Sequence, residues 1–187
     1  VAAASFVDIV PLTLSNRAGL LLREGQAPPT TGRLAGFPSV NENGIDPAHF
    51  DALGIPLLAG RDFTVGDGPE APEVVIVNET MARRYWPDES PIGKRVRAWA
   101  TNLRDAPFAE VVGLVRDSQY VTVGETPRAF VYRPLAQRWA PAATLLVRTG
   151  GDPLGMLAAV RQAVTEVDPD LPVFDIRPLT ELTSVSL

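Results

Sequence analysis

The chain has 187 residues, an apolar fraction of 45% and a formal net charge of −5, the profile of a folded unit with a buried core. The acidic balance argues against a nucleic-acid surface, which needs clustered positive charge, so no nucleic-acid partner is expected. Cysteine is absent, and that fits an oxidising or a reducing compartment equally.

The longest uncharged runs, 52–60 and 139–147, are nine residues, against about 20 for a bilayer-spanning helix. Neither a spanning segment nor a signal peptide is expected. The chain opens at Val1, without Met and already strand-like, so we expect a piece of a longer polypeptide.

Residues 1–14 read as a strand with one solvated face, because Asp8 interrupts a run of Ala, Val, Ile and Phe. Residues 16–36 are polar and carry Pro28-Pro29-Thr30-Thr31-Gly32, which predicts a loop or mobile flap. A second strand is expected over 37–45. A short helix follows, with Asp46 as N-cap, Pro47 at the first helical position and Gly54 closing it. Phe50 and Leu53 form its apolar side, and His49 points away from them towards solvent.

Residues 55–59 read as extended and lead into Gly60-Arg61-Asp62-Phe63, then a Pro/Gly loop over 64–72. Val74 to Val77 reads as a buried strand; Asn78 caps a helix whose apolar face is Met81, Ala82 and Tyr85, and Pro87 stops it. Residues 94–99 alternate as a strand with Val96 and Ala98 on one side, and Val111 to Val115 is an apolar strand run. Strands over 128–133 and 144–149 are joined by the loop around Pro141. Asp152 and Pro153 then open the longest helix, with Leu157, Val160, Val164 and Val167 as its expected buried stripe. Asp168-Pro169-Asp170 ends it, and 173–176 reads as a last strand. Strands and helices without strict alternation give an α+β class.

The chain offers little for chemistry. A single histidine, His49, excludes two-histidine metal sites, and no Gly-x-Ser-x-Gly elbow presents a serine. Gly93-Lys94 is similar to a phosphate-binding loop, but Asp88 and Arg95 stand where the pattern needs Gly and Ser or Thr. Asp168 and Asp170 read as helix termination, and Asn78-Glu79-Thr80 as a cap whose match to a glycosylation sequon is incidental. Arg61 and Asp62 read as a turn held by an Arg–carboxylate bridge beside Phe63. Arg83, Arg84, Arg95 and Arg97 form a basic, solvated face that an acidic partner could also use. No catalytic, metal-binding or cofactor-binding residue is identified, and no cofactor is expected.

Pro47-Ala48-His49-Phe50, Gly54-Ile55-Pro56-Leu57-Leu58, Gly60-Arg61-Asp62-Phe63, VVIVNETMARRYW, Pro91-Ile92-Gly93-Lys94 and EVVGLVRD follow one another in a fixed order. With Val131-Tyr132, LLVRT, Gly151-Asp152-Pro153 and Val167-Asp168-Pro169, this series resembles the periplasmic core domain of MacB-type, FtsX-like ABC transporter permeases over nearly the full chain. The signature positions are Gly60, Arg61, Asp62, Phe63, Asn78, Glu79, Arg83, Pro91, Gly93, Gly113 and Asp117.

The resemblance implies a porter-like βαβ lobe over 1–59 and 124–187, with a smaller inserted α/β, Sabre-like lobe over 60–123. It implies an extracytoplasmic domain of a bacterial inner-membrane permease, non-catalytic in itself, that couples cytoplasmic ATP hydrolysis to conformational change. The implied partners are a second permease subunit in a dimer, an ABC ATPase subunit or domain, and a periplasmic adaptor or substrate protein. The competing reading is a free-standing secreted enzyme or carbohydrate-binding domain. That needs an aromatic platform or paired carboxylates in a cleft, for which only Trp86, Trp99 and Trp139 are at hand as tryptophans. A third reading, a small-molecule-binding lobe, would use the 16–36 flap and a cleft between lobes.

Overall fold

The computed structural model describes residues 1–13, 15–27, 39–98, 107–120, 122, 124–138 and 143–181. Among the described residues nine strands share one mixed sheet: β1 (Ala3–Val7), β2 (Arg17–Arg23), β3 (Ser39–Ile45), β4 (Leu57–Gly60), β5 (Val74–Asn78), β6 (Arg95–Ala98), β7 (Ala109–Val115), β8 (Phe130–Pro134) and β9 (Thr144–Arg148). The helices are α1 (His49–Leu53), α2 (Glu79–Tyr85) and α3 (Leu157–Val167).

β5 is buried at every position and lies between β7, to which it is parallel, and β8, to which it is antiparallel. That central place explains its uninterrupted Val-Val-Ile-Val run, because a strand covered on both faces has no reason to alternate. β2 pairs with both β6 and β3, so β2, β6, β7, β5, β8 and β3 close into a ring. Closure removes the open sheet edges that six separate strands would leave. β1 joins the end of β3 at Val7 and Ile45 and carries β9 on its other side. β7 is shared along one edge, with β6 at its start (Arg95 opposite Glu110) and β4 at its end (Gly60 opposite Gly113).

Two apolar clusters lie on opposite faces. Leu21, Val40, Val75, Val77, Val111 and Val131 pack with Met81, Tyr85 and Trp86 of the α2 region. Val7, Ile45, Ile76, Val115, Phe130 and Tyr132 pack with Phe50 of α1. α2 forms as expected: Asn78 Oδ1 accepts from the Met81 amide at 3.0 Å, Met81, Ala82 and Tyr85 are buried, and the helix ends at Trp86 ahead of Pro87.

Several expectations need correction. Residues 17–23 are a strand rather than part of a flap: pairing to β3 and β6 buries Leu21 and Leu22, and this long-range gain overrides weak local patterning. Of the rest of the flap, 24–27 are described and include a turn with Gly25 at φ 81°, while 28–36 lie outside the described residues, as do Phe37, Trp99, Trp139, Pro141 and the end of the chain from 182. The first strand stops at Val7, and turns follow, with Leu12 at φ 64°. Asp46 is not the cap of α1. The cap is Ala48, and Asp46 instead accepts from the Ala48 amide at 3.1 Å and the Phe6 amide at 2.7 Å. Gly54 does close the helix, at φ 67°.

The C-terminal third departs furthest. α3 starts at Leu157 after a 3₁₀ turn over Leu154–Met156 and has no buried residue; Val167 is 84% exposed. Residues 173–176 form no strand: among the described residues they have no ladder partner, Phe174 is exposed and Asp175 sits at φ 54°. A strand-like pattern becomes a strand only where an edge receives it.

Candidate functional site

The signature positions converge on β7 and its neighbours. Gly60, at φ 74°, ends β4 where an added Cβ would lie 2.2 Å from the Val112 carbonyl oxygen. Gly113 faces it, and a Cβ there would lie 2.4 Å from the Arg61 carbonyl oxygen. The two backbones are drawn together by a hydrogen bond from the Arg61 amide to the Val112 carbonyl at 2.9 Å. Only glycine permits that approach from both sides.

Arg61 then grips Asp67 with two parallel bonds of 2.7 and 2.8 Å, and Asp67 also accepts from the Thr64 amide at 2.8 Å. The Arg61 guanidinium holds the Asp67 carboxyl below the usual carboxylate range. The Arg–carboxylate bridge expected beside a buried aromatic is present, with Asp67 as the partner and Phe63 buried. Asp62 instead accepts from the Phe63 amide at 2.6 Å, and burial pushes its carboxyl up.

A second knot ties α2 to the end of β7. Asp117 accepts from the Thr80 amide and hydroxyl, both at 2.8 Å, and from Arg83 at 2.7 Å. Glu79 reaches back and accepts from the Asp117 amide at 3.1 Å. Asn78 is buried and holds several partners: its carbonyl oxygen also accepts from the Phe130 amide at 2.9 Å, and its amide donates to the Arg128 carbonyl at 2.8 Å. One side chain thus holds β5, α2 and the start of β8. Pro91 is buried and opens a turn in which Gly93, at φ 79°, donates to the Val111 carbonyl at 2.9 Å. Arg61, Asn78, Glu79, Arg83 and Asp117 therefore brace the backbone around β7, while Phe63 and Pro91 are buried.

His49 overturns its expectation. It is fully buried, with Nε2 3.2 Å from the Tyr120 hydroxyl and Nδ1 3.4 Å from Ser5 Oγ. Asn43 donates to the same Tyr120 hydroxyl. Burial pushes the imidazole down to about 4, with Asp46 opposing, so the ring is neutral at neutral pH. Ser5, His49 and Tyr120 superficially suggest nucleophilic chemistry, yet each is sealed from solvent. Their role here is to pin α1, β1, β3 and the segment after β7 together. The missed signal lies in α1 itself: a helix of barely more than one turn, wedged against β1 and β9, buries more than one side.

The four arginines expected to share a basic face are dispersed among local contacts. Arg83 binds Asp117, Arg84 lies over Tyr85 at 5.9 Å, Arg95 pairs with Glu24 at 2.6 Å, and Arg97 stacks over Phe108 at 4.3 Å. Asp168 ends α3 and accepts from the Asp170 amide at 2.9 Å, a helix-ending turn as expected. Among the described residues no three His, Cys, Asp or Glu side chains are grouped to hold a metal ion. No helix among them is long and apolar enough to cross a membrane. A groove of about 670 Å³ beside the end of β2 is lined by Trp86 and by charged side chains that pair with each other, Arg95 with Glu24 and Lys94 with Glu89.

Residues 9–168 match the family described as the MacB-like periplasmic core domain. The chain belongs to this family. It is 32% identical over 122 residues to the macrolide export ATP-binding/permease protein MacB of Aggregatibacter actinomycetemcomitans, a match covering 65% of this chain and 17% of that protein. Among solved structures, the periplasmic region of MacB from Actinobacillus actinomycetemcomitans superposes with a TM-score of 0.60 at 15% identity, over 98% of this chain and 92% of that one. The extracellular domain of the noncanonic ABC-type transporter YknZ from Gram-positive bacteria gives 0.53 at 16% identity, over 90% and 78%. The fold is therefore that of MacB-like periplasmic domains, with mixed α and β content, and the chain spans about a sixth of the full-length relative it matches.

Proposed function

We propose that this chain is the extracytoplasmic domain of an ABC transporter permease in a bacterial inner membrane, non-catalytic in itself. It transmits movement driven by cytoplasmic ATP hydrolysis to partners or substrates outside the membrane. The observation that carries this reading is the use made of the signature side chains. Arg61, Asn78, Glu79, Arg83 and Asp117 are all engaged in bracing strand and helix joints around β7. A braced joint suits force transmission, in which a domain has to move as a body rather than yield locally.

The partners in this reading are a second permease subunit, an ABC ATPase subunit or domain, and a periplasmic adaptor or substrate protein. We also infer that 60–123 is an inserted unit within a lobe formed by 1–59 and 124–187. In support, β7 pairs with both β5 and β6 inside this segment.

The test uses the full-length permease with its ATPase in lipid nanodiscs. Arg83→Ala with Asp117→Ala is expected to leave basal ATP hydrolysis intact while reducing transport-coupled hydrolysis. Isothermal titration of the isolated chain with ATP is expected to show no binding. Tight nucleotide binding by the isolated chain, or unchanged coupling in the double variant, overturns the reading.

A further inference from the structure

Glu42 is the one buried carboxylate in the described residues whose position no joint explains. It lies on β3, opposite Arg17 of β2 on one side and Val131 of β8 on the other, at the seam where β2 closes the six-stranded ring. It is 5% exposed, and its Oε2 is buried with no hydrogen-bond partner. By alternation it shares the face of β3 that carries Val40, a member of the apolar cluster around α2.

The charges facing it come from every neighbouring element. Arg133 on β8 is directed to Glu73 at 3.1 Å, Arg17 on β2 pairs with Asp8 beyond β1, and Arg138 stands after the 3₁₀ turn that follows β8. The three arginines favour the charged form of Glu42 and Asp8 opposes it, yet burial outweighs them. Two of the arginines already hold other carboxylates, so Glu42 is left to bear its desolvation largely alone.

We propose that Glu42 is a proton-linked latch on the β2–β3 seam: the neutral carboxyl keeps the seam zipped, and its ionisation favours release of β2 so that the carboxylate reaches water. The direction follows from linkage. Burial pushes the carboxyl up to about 7, against 4.5 for a hydrated glutamate. The zipped seam therefore binds the proton more tightly than the open one; its stabilisation is complete below pH 4.5 and is lost as pH rises through 7. β2 is well suited to respond, because it is held by two short ladders, four residues to β3 and three to β6.

Hydrogen exchange on the 187-residue chain, corrected for the intrinsic pH dependence of exchange, tests this. Protection of the β2 amides is expected to fall more than about tenfold between pH 5 and pH 8. Glu42→Gln is expected to remove that dependence. Equal pH dependence in Glu42→Gln, or no loss in the wild-type chain, overturns the proposal. Should the variant fail to fold, carbon-13 titration of the wild-type Glu42 carboxyl decides. A midpoint more than about one pH unit above that of exposed Glu70 supports the latch, and a smaller difference overturns it.

Discussion

The joint around β7 and the segment from α3 onward carry equally clear sequence patterns and meet opposite fates. In the first, an apolar strand, an Asn cap and two glycines find partners on all sides, and Val75, Ile76, Met81 and Val111 are fully buried. In the second, a stripe at helical spacing and a strand-like run meet no equivalent surface among the described residues, and α3 buries nothing. Periodicity states which face an element can bury. Only the neighbours determine whether it does, and stability follows the neighbours.

The comparison breaks most sharply at Gly113. Gly113→Ala places a Cβ against the Arg61 carbonyl and the Ile76 side chain, and should destabilise by more than about 3 kcal/mol in urea unfolding. Asp117→Asn keeps the shape but replaces one acceptor with a donor beside Arg83, and about 2 kcal/mol should be lost. In the C-terminal segment Val164→Ala should cost under about 0.5 kcal/mol, because the side chain is only half-buried. Similar losses at Asp117 and Val164 would erase the distinction between the two regions.

Proton linkage sharpens the picture further. His49 has a folded value depressed from 6.5 to about 4, so the unfolded chain binds its proton first and stability falls as pH drops through that window. Glu42 acts in the opposite sense, its stabilisation growing as pH falls from 7 to 4.5. In the wild-type chain the two slopes oppose each other. His49→Phe should therefore expose stability that rises towards acid, and Glu42→Gln stability that falls. Parallel profiles for the two variants, measured by urea unfolding between pH 4.5 and 7, would contradict the assignment of either group.

What could be read in advance follows the same logic. β5, α2 and β7 were legible because their signals are local: a continuous apolar run between turns, and an Asn before a helix-spaced face. The Arg61 bridge was legible as a type of interaction, while its partner, Asp67, was not, since turn geometry selects among nearby carboxylates. β2 was hidden because Gly-Leu-Leu-Leu has no strand alternation, and its pairing to β3 and β6 is set by distant residues. His49 was misplaced by treating α1 as a surface helix with one buried side. The strand expected over 173–176 is the converse case, a sound local pattern without an edge to join.

The proposed function requires this domain to move as a braced body within a larger permease. Its most direct test is the distance between spin labels at Ala158→Cys, on the exposed surface of α3, in two copies of the full-length permease reconstituted with its ATPase. The account predicts that the distance distribution shifts between nucleotide-free and ATP-trapped states, while a label pair within one copy, spanning α2 and the 61–67 turn, stays fixed. An unchanged distance between copies, or a shift confined to the pair within one copy, would contradict it.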